Sequence, residues 1–186
     1  MDPRIKWNQK HKERINQLEE PAPNARLENL SSYLPGGQAV DLACGLGGNS
    51  LFLARLNFQV RAIDISDVAV NYLKEIAVKQ KLAIYPQLCD LTEITNLNLQ
   101  KNSISLVVIT NYLDRSLFPL VKSIIKENGY FFMETFYMSP KHENQGVSNQ
   151  YKLQSGELLA EFAEWNVLFY EENEQEGRQT IFCRKY

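Results

Sequence analysis

Cysteine is scarce in this 186-residue chain: Cys44, Cys89 and Cys183 stand far apart, with no CxxC pair and no even framework. That argues against a disulfide scaffold or a thiolate zinc site and gives no metal expectation, while reduced thiols suit a cytoplasmic protein. Basic charge is not in excess either, with 20 Lys and Arg against 22 Asp and Glu for a formal charge of −2. Gripping a phosphate backbone takes a clustered basic face, so nucleic acid is not an expected partner. No apolar run approaches membrane-spanning length, and the opening MDPRIKWNQKHKER has no apolar signal core; the chain is expected to be soluble and to have no membrane partner. Internal repeats, low-complexity tracts and linkers are also missing. At 44% hydrophobic and 23% charged residues the composition is ordinary globular material. One domain over residues 1–186 is expected, with a helical cover at 1–34 and a core from 38 to 186.

What is present is alternation. Short, β-rich apolar runs lie near 38–42, 59–64, 84–89, 105–110 and 129–137, and several are apolar on consecutive positions, as strands buried on both faces are. Helix-period segments lie between them near 49–56, 67–80, 114–127 and 155–163, with Asp67 and Asp114 in cap position. A repeated βα pattern predicts an α/β fold with a parallel, doubly wound sheet. The end of the chain, WNVLFYEENEQEGRQTIFCRKY, reads as an antiparallel hairpin around Gly177. Ahead of the first strand, residues 3–20 read as one helix and ARLENLSSYL as a second.

The chemistry sits at the first strand ends. A strand ending at Asp41, a turn carrying Gly45, Gly47 and Gly48, and a helix from about Asn49 offer free N–H groups and a Cβ-free surface to a nucleotide-like ligand. Asp64 ends the next strand, 23 positions after Asp41, where an acid accepts hydrogen bonds from two ribose hydroxyls. A dinucleotide fingerprint starting at Gly45 would need a third glycine where Ser50 stands, and Asp41 would face a pyrophosphate with like charge. An NAD-type oxidoreductase is therefore the weaker reading. S-adenosylmethionine carries no phosphate; its ammonium and sulfonium suit two acids, and its carboxylate suits a helix N-terminus.

These residues resemble the class I S-adenosylmethionine-dependent methyltransferases, and among them the small group that includes the tellurite-resistance and thiopurine-type enzymes. VDLACGLGGNSLFLA is similar to that family's glycine turn, with Ala43 where its first glycine usually stands. RAIDIS is similar to its ribose motif at Asp64 and Ile65, and CDL to the motif that flanks adenine, with Asp90 toward the amino group and Leu91 on the ring. The resemblance implies a Rossmann-like sheet of order 3-2-1-4-5-7-6 with strand 7 antiparallel. It also implies that Trp7, Asp41, Ala43, Gly45, Gly47, Asn49, Asp64, Ile65, Asp90, Leu91 and Asn111 border the cofactor. WNQKH resembles a family signature near the cofactor, with His11 where an aromatic is usual.

In such a fold the acceptor lies at the carboxyl ends of the strands, beside Asn111, Tyr112, Asp114 and Arg115 and the run from Glu134 to Tyr137. Tyr112, expected as a pocket wall, Asp114 and His11 are the candidate catalytic groups, with His142 as a further candidate. The Asn of NYLD lacks the two prolines of amino-methylating DNA enzymes. Trp7, His11, Ile15 and Leu18 form one stripe on the first helix, and with the polar loop 138–153 they are expected to make a mobile cover. A small-molecule methyl acceptor is expected, and a catalytically silent cofactor-binding module is the other alternative. Oligomeric state is left open.

Overall fold

The expected alternation is realised as seven strands in one sheet, in the order 3-2-1-4-5-7-6 when numbered along the chain. The protein is described from a computed structural model, over residues 2–17, 20–141 and 146–186. Two compact units make up the chain, Met1–Leu99 and Gln100–Tyr186.

In the first unit, α1 (Pro3–Ile15) and α2 (Ala25–Asn29) precede β1 (Gly37–Leu42), α3 (Gly48–Arg55), β2 (Phe58–Asp64), α4 (Asp67–Gln80) and β3 (Ile84–Leu88). The strands run parallel, with Asp41 beside Ala62 and Asp64 beside Leu88. Val40, Leu42, Val60, Ala62 and Ile63 are all buried, as continuous apolar runs in a parallel sheet require. Both acids therefore end their strands on the same edge of the sheet, because parallel strands align their carboxyl ends.

The second unit holds β4 (Ile104–Thr110), α5 (Leu117–Ile124), β5 (Ile125–Phe136), α6 (Glu157–Glu161), β6 (Asn166–Asn173) and β7 (Arg178–Arg184). β4 pairs parallel with β5, while β7 runs antiparallel to both β5 and β6. The chain reverses through Gly177, whose φ of 62° suits glycine.

Several boundaries differ from the expected ones. The first helix stops at Ile15 rather than 20, where Asn16 caps it; Leu18, the last member of the expected stripe, lies outside the described residues. Ser66, not Asp67, caps α4, accepting from the Ala69 N–H at 3.2 Å. Asp114 lies three residues before α5, in a turn where its Oδ1 accepts from the N–H and hydroxyl of Ser116. β5 begins four residues early because the ENG turn is absorbed into the strand as an irregularity, with Asn128 at φ 59° and a register shift between Ile104 and Leu106.

Candidate cofactor and acceptor site

The turn after β1 is wound in the left-handed region at Ala43 (φ 57°), Gly45 (φ 54°) and Gly47 (φ 86°). Only glycine enters that region without steric cost, so Ala43 carries strain that the family's usual glycine would not. Asp64 staples the turn to the second strand end: its Oδ2 accepts from the Gly45 N–H at 2.8 Å and its Oδ1 from the Ser66 N–H at 2.9 Å. Each carboxylate oxygen keeps a second lone pair, which is what a ribose hydroxyl would use. The expected ribose acid is thus also the brace of the glycine turn.

Asp41 is fully buried, and its Oδ2 accepts the Ser50 hydroxyl at 2.6 Å. Its other oxygen is buried with no hydrogen-bond partner among the described residues. Burial pushes the carboxyl up to about 7, against the Ser50 hydrogen bond and with the neighbouring Asp64 charge adding to the rise. A cation placed at that oxygen would reverse the shift.

The glycines divide the work differently from expectation. A Cβ on Gly47 would fall 2.4 Å from the Leu73 side chain, and one on Gly48 would fall 2.1 Å from the Ala22 carbonyl oxygen. Those two are bare because the protein itself packs there. Gly45 alone of the three meets nothing closer than 3.4 Å, and its neighbour is the His11 imidazole. Asn49 has its side-chain oxygen occupied by the Asn24 N–H at 2.8 Å, which ties the segment before α2 to the start of α3.

Beyond β2 and β3 lies a cavity of about 380 Å³ lined by Ile65, Gln87, Leu88, Cys89, Asp90 and Glu93, with Asp2 and Arg4 at its rim. Ile65 and Leu88 are its apolar walls, and Asp2, Asp90 and Glu93 bring three carboxylates to it. Asp90 caps the 3-10 turn that begins at Leu91, its Oδ1 accepting from the N–H and hydroxyl of Thr92, and Leu91 is buried.

α1 lies against α4 through a small polar latch. Asn8 donates to Asp67 at 2.8 Å and accepts the Ser66 hydroxyl at 2.6 Å, while Arg4 Nε reaches Asp67 at 3.0 Å. Trp7 stacks on His11 with centroids 5.7 Å apart, and Lys10 stands 4.8 Å over the Trp7 ring. His11 is the only buried residue of the helix. Burial lowers its pKa, against the Asp64 charge and with Arg14 and Lys10 in support, which favours the neutral ring. The latch was not legible in the sequence, because the motifs that carry Asn8 and Ser66, WNQKH and RAIDIS, do not tell that the two segments meet.

In the second unit, Asn111 follows β4 at φ 57°, and its backbone N–H donates to the Glu134 carbonyl at 2.9 Å. Its side-chain oxygen accepts from Arg178, whose guanidinium lies 3.8 Å over the Phe136 ring. Arg178 was not singled out from the sequence, where it is one basic residue after a turn; the β5–β7 pairing opposite Phe136 puts it there. Tyr112 is half-buried at the same strand end. Arg115 grips Glu157 with two hydrogen bonds, at 2.6 and 2.9 Å, and donates to the Lys152 carbonyl at 3.1 Å. Leu153 pairs with the chain on both sides of Tyr137, so the far end of the loop 138–153 is anchored. Glu134 is buried and accepts the Thr180 hydroxyl at 2.8 Å. His142 lies outside the described residues. Among the described residues no group of His, Cys, Asp or Glu is arranged to hold a metal ion.

The family model described as Tellurite resistance protein TehB matches residues 22–181. The chain belongs to the TehB family. A relative from Haemophilus influenzae, named a probable S-adenosyl-L-methionine-dependent methyltransferase TehB, is 28% identical over 148 residues, covering 77% of this chain and 51% of the relative. The chain thus spans about half the length of the curated relatives it matches. The crystal structure of TehB from the same organism superposes with a TM-score of 0.76 at 23% identity, over 88% of this chain and 63% of that one. A geranyl diphosphate C-methyltransferase from Streptomyces coelicolor, solved with geranyl diphosphate and S-adenosyl-L-homocysteine, shares the fold at a TM-score of 0.69 and 16% identity, over 87% of this chain and 77% of that one. The expected family and strand order are therefore borne out. α1, with Trp7 and His11, precedes the segment that the TehB family model matches. No helix among the described residues is long and apolar enough to cross a membrane.

Proposed function

We propose that the chain transfers the methyl group of S-adenosylmethionine to a small, soft nucleophile such as a thiol or a chalcogen oxyanion. The observation that carries the cofactor is the buried, unpartnered Asp41 oxygen at a glycine turn braced by a second acid, Asp64. Asp41 would take the cofactor's ammonium, Asp64 its ribose hydroxyls, and the cavity at Ile65 and Asp90 its adenine. When bound, S-adenosylmethionine supplies an electrophilic methyl on a sulfonium leaving group. The protein's part is then to align the acceptor and exclude water.

The acceptor half rests on what the second unit offers. Asp114 has one oxygen committed to the Ser116 turn, and Glu134 is buried against Thr180; neither contact marks a dedicated base. An acceptor that brings its own lone pair needs none. Tyr112 would form the pocket wall, and Arg178, beside Asn111, supplies a cation for an oxyanion. A single methyltransferase domain working in the cytoplasm fits the reduced-thiol reading of the cysteines.

Calorimetric titration with S-adenosylhomocysteine and NAD tests the cofactor, and binding of S-adenosylhomocysteine alone is expected. Labelled cofactor with thiols, selenite, tellurite, phenols and carboxylic acids tests the acceptor. Turnover confined to the oxygen acids or to macromolecules would overturn the soft-nucleophile reading, and cofactor binding with no turnover on any acceptor would favour a silent module.

A further inference from the structure

We propose that His11 is a cofactor-binding residue, donating from Nδ1 to the carboxylate at the methionyl end of S-adenosylmethionine. The proposal rests on the cofactor reading above and assigns a ligand to a helix that lies outside the segment matched by the family model.

The inference starts from an unspent donor. His11 is 2% exposed, and its Nδ1 is buried with no partner among the described residues. A buried polar atom left in that state costs free energy, and native proteins rarely tolerate it without a ligand or a function. The ring is not loose: Trp7 stacks against it, and the Asn8 latch to Ser66 and Asp67 holds α1 in register. Its Cε1, the atom bonded to both ring nitrogens, lies 3.4 Å from the place a Gly45 Cβ would occupy. Nδ1 therefore borders the turn where the cofactor's amino-acid end is expected. A neutral imidazole has one ring N–H, here assigned to Nδ1, the nitrogen buried with no partner among the described residues.

The turn's own donors are largely committed. The Cys44 N–H goes to the Ile63 carbonyl, the Gly45 N–H to Asp64, and the Gly47 N–H to the Cys44 carbonyl. Asp41 and Asp64 accept, which suits an ammonium and two hydroxyls but repels a carboxylate. A zwitterionic amino-acid end needs a donor in the same place, and His11 Nδ1 joins the first turn of α3 in providing it.

The test is calorimetry on the full chain with two ligands. S-adenosylhomocysteine has the amino-acid end; 5′-methylthioadenosine keeps the adenosine and thioether and lacks it. His11→Phe fills the same space with an aromatic and no donor, and His11→Gln restores an N–H. His11→Phe is expected to bind S-adenosylhomocysteine about tenfold more weakly, as loss of one hydrogen bond to a charged group implies. Its affinity for 5′-methylthioadenosine should stay within about twofold of the parent's, which also reports that the site is folded. His11→Gln should recover part of the loss. Equal S-adenosylhomocysteine affinity in parent and His11→Phe, or an equal loss for both ligands, overturns the assignment. A parent chain that binds neither ligand overturns the cofactor reading itself, which separates the two failures.

Discussion

Asp41→Asn should flatten the pH dependence of folding between about pH 4 and pH 7. In the folded chain the Asp41 carboxyl is pushed up to about 7 by complete burial, from an ordinary value of 3.8. Between those two values the folded state holds a proton that the unfolded state has released, so this group's contribution is greatest below the lower value and is lost as pH rises through the upper one. A displacement of about three units corresponds to about 4 kcal/mol, at 1.36 kcal/mol per unit. The amide of the variant cannot ionise and contributes no such slope. It still accepts the Ser50 hydroxyl, and its buried NH₂ group adds a cost of about 1–3 kcal/mol that does not vary with pH. The measurement is urea unfolding followed by the fluorescence of Trp7 and Trp165, at half-unit steps from pH 4.5 to 8. The stability difference, parent minus variant, should fall by about 3 kcal/mol across that range, which begins above the unfolded-state value. His11, whose pKa burial lowers, contributes with the opposite sign, but it is present in both proteins and cancels in the difference. Parallel curves would refute the reasoning and place the Asp41 carboxyl in a solvated or paired state.

Ala43→Gly should raise stability by about 1 kcal/mol, read as a higher urea midpoint with unchanged slope, since φ 57° strains alanine and not glycine. Gly48→Ala should cost about 2–3 kcal/mol by the same assay, because its Cβ would meet the rigid Ala22 carbonyl at 2.1 Å. Asp64→Ala removes the acceptor for both the Gly45 and Ser66 N–H groups, so it should lose about 2–3 kcal/mol of stability and weaken S-adenosylhomocysteine binding at least tenfold; undiminished binding would remove it from the ribose site. Arg115→Ala should cost under about 1 kcal/mol globally, because the pair with Glu157 is partly exposed. Limited proteolysis should nonetheless cut faster between residues 146 and 153, where Arg115 holds the Lys152 carbonyl.

The architecture and the place of the site were legible in the order of residues alone. Apolar runs of strand length alternating with helix-period segments admit little besides a parallel sheet, and an acid at the end of each of the first two strands marks the edge where a ligand lies. These features are local in the chain: Asp41, Gly45 and Asp64 sit within one βαβ unit, whose geometry is set by spacing. What each residue does there was settled by packing between distant segments. That Gly47 and Gly48 are bare for Leu73 and Ala22 depends on where α4 and the segment before α2 come to rest. Ser66 displaced Asp67 as a cap because Asp67 is turned toward Arg4 and Asn8, some sixty residues earlier in the chain. Arg178 reaches Asn111 only through the antiparallel register of β7 on β5. The unpartnered nitrogen of His11 and the free oxygen of Asp41 are properties of burial, which no single residue or spacing encodes. They exist because packing removed water from two polar groups and supplied no partner in its place.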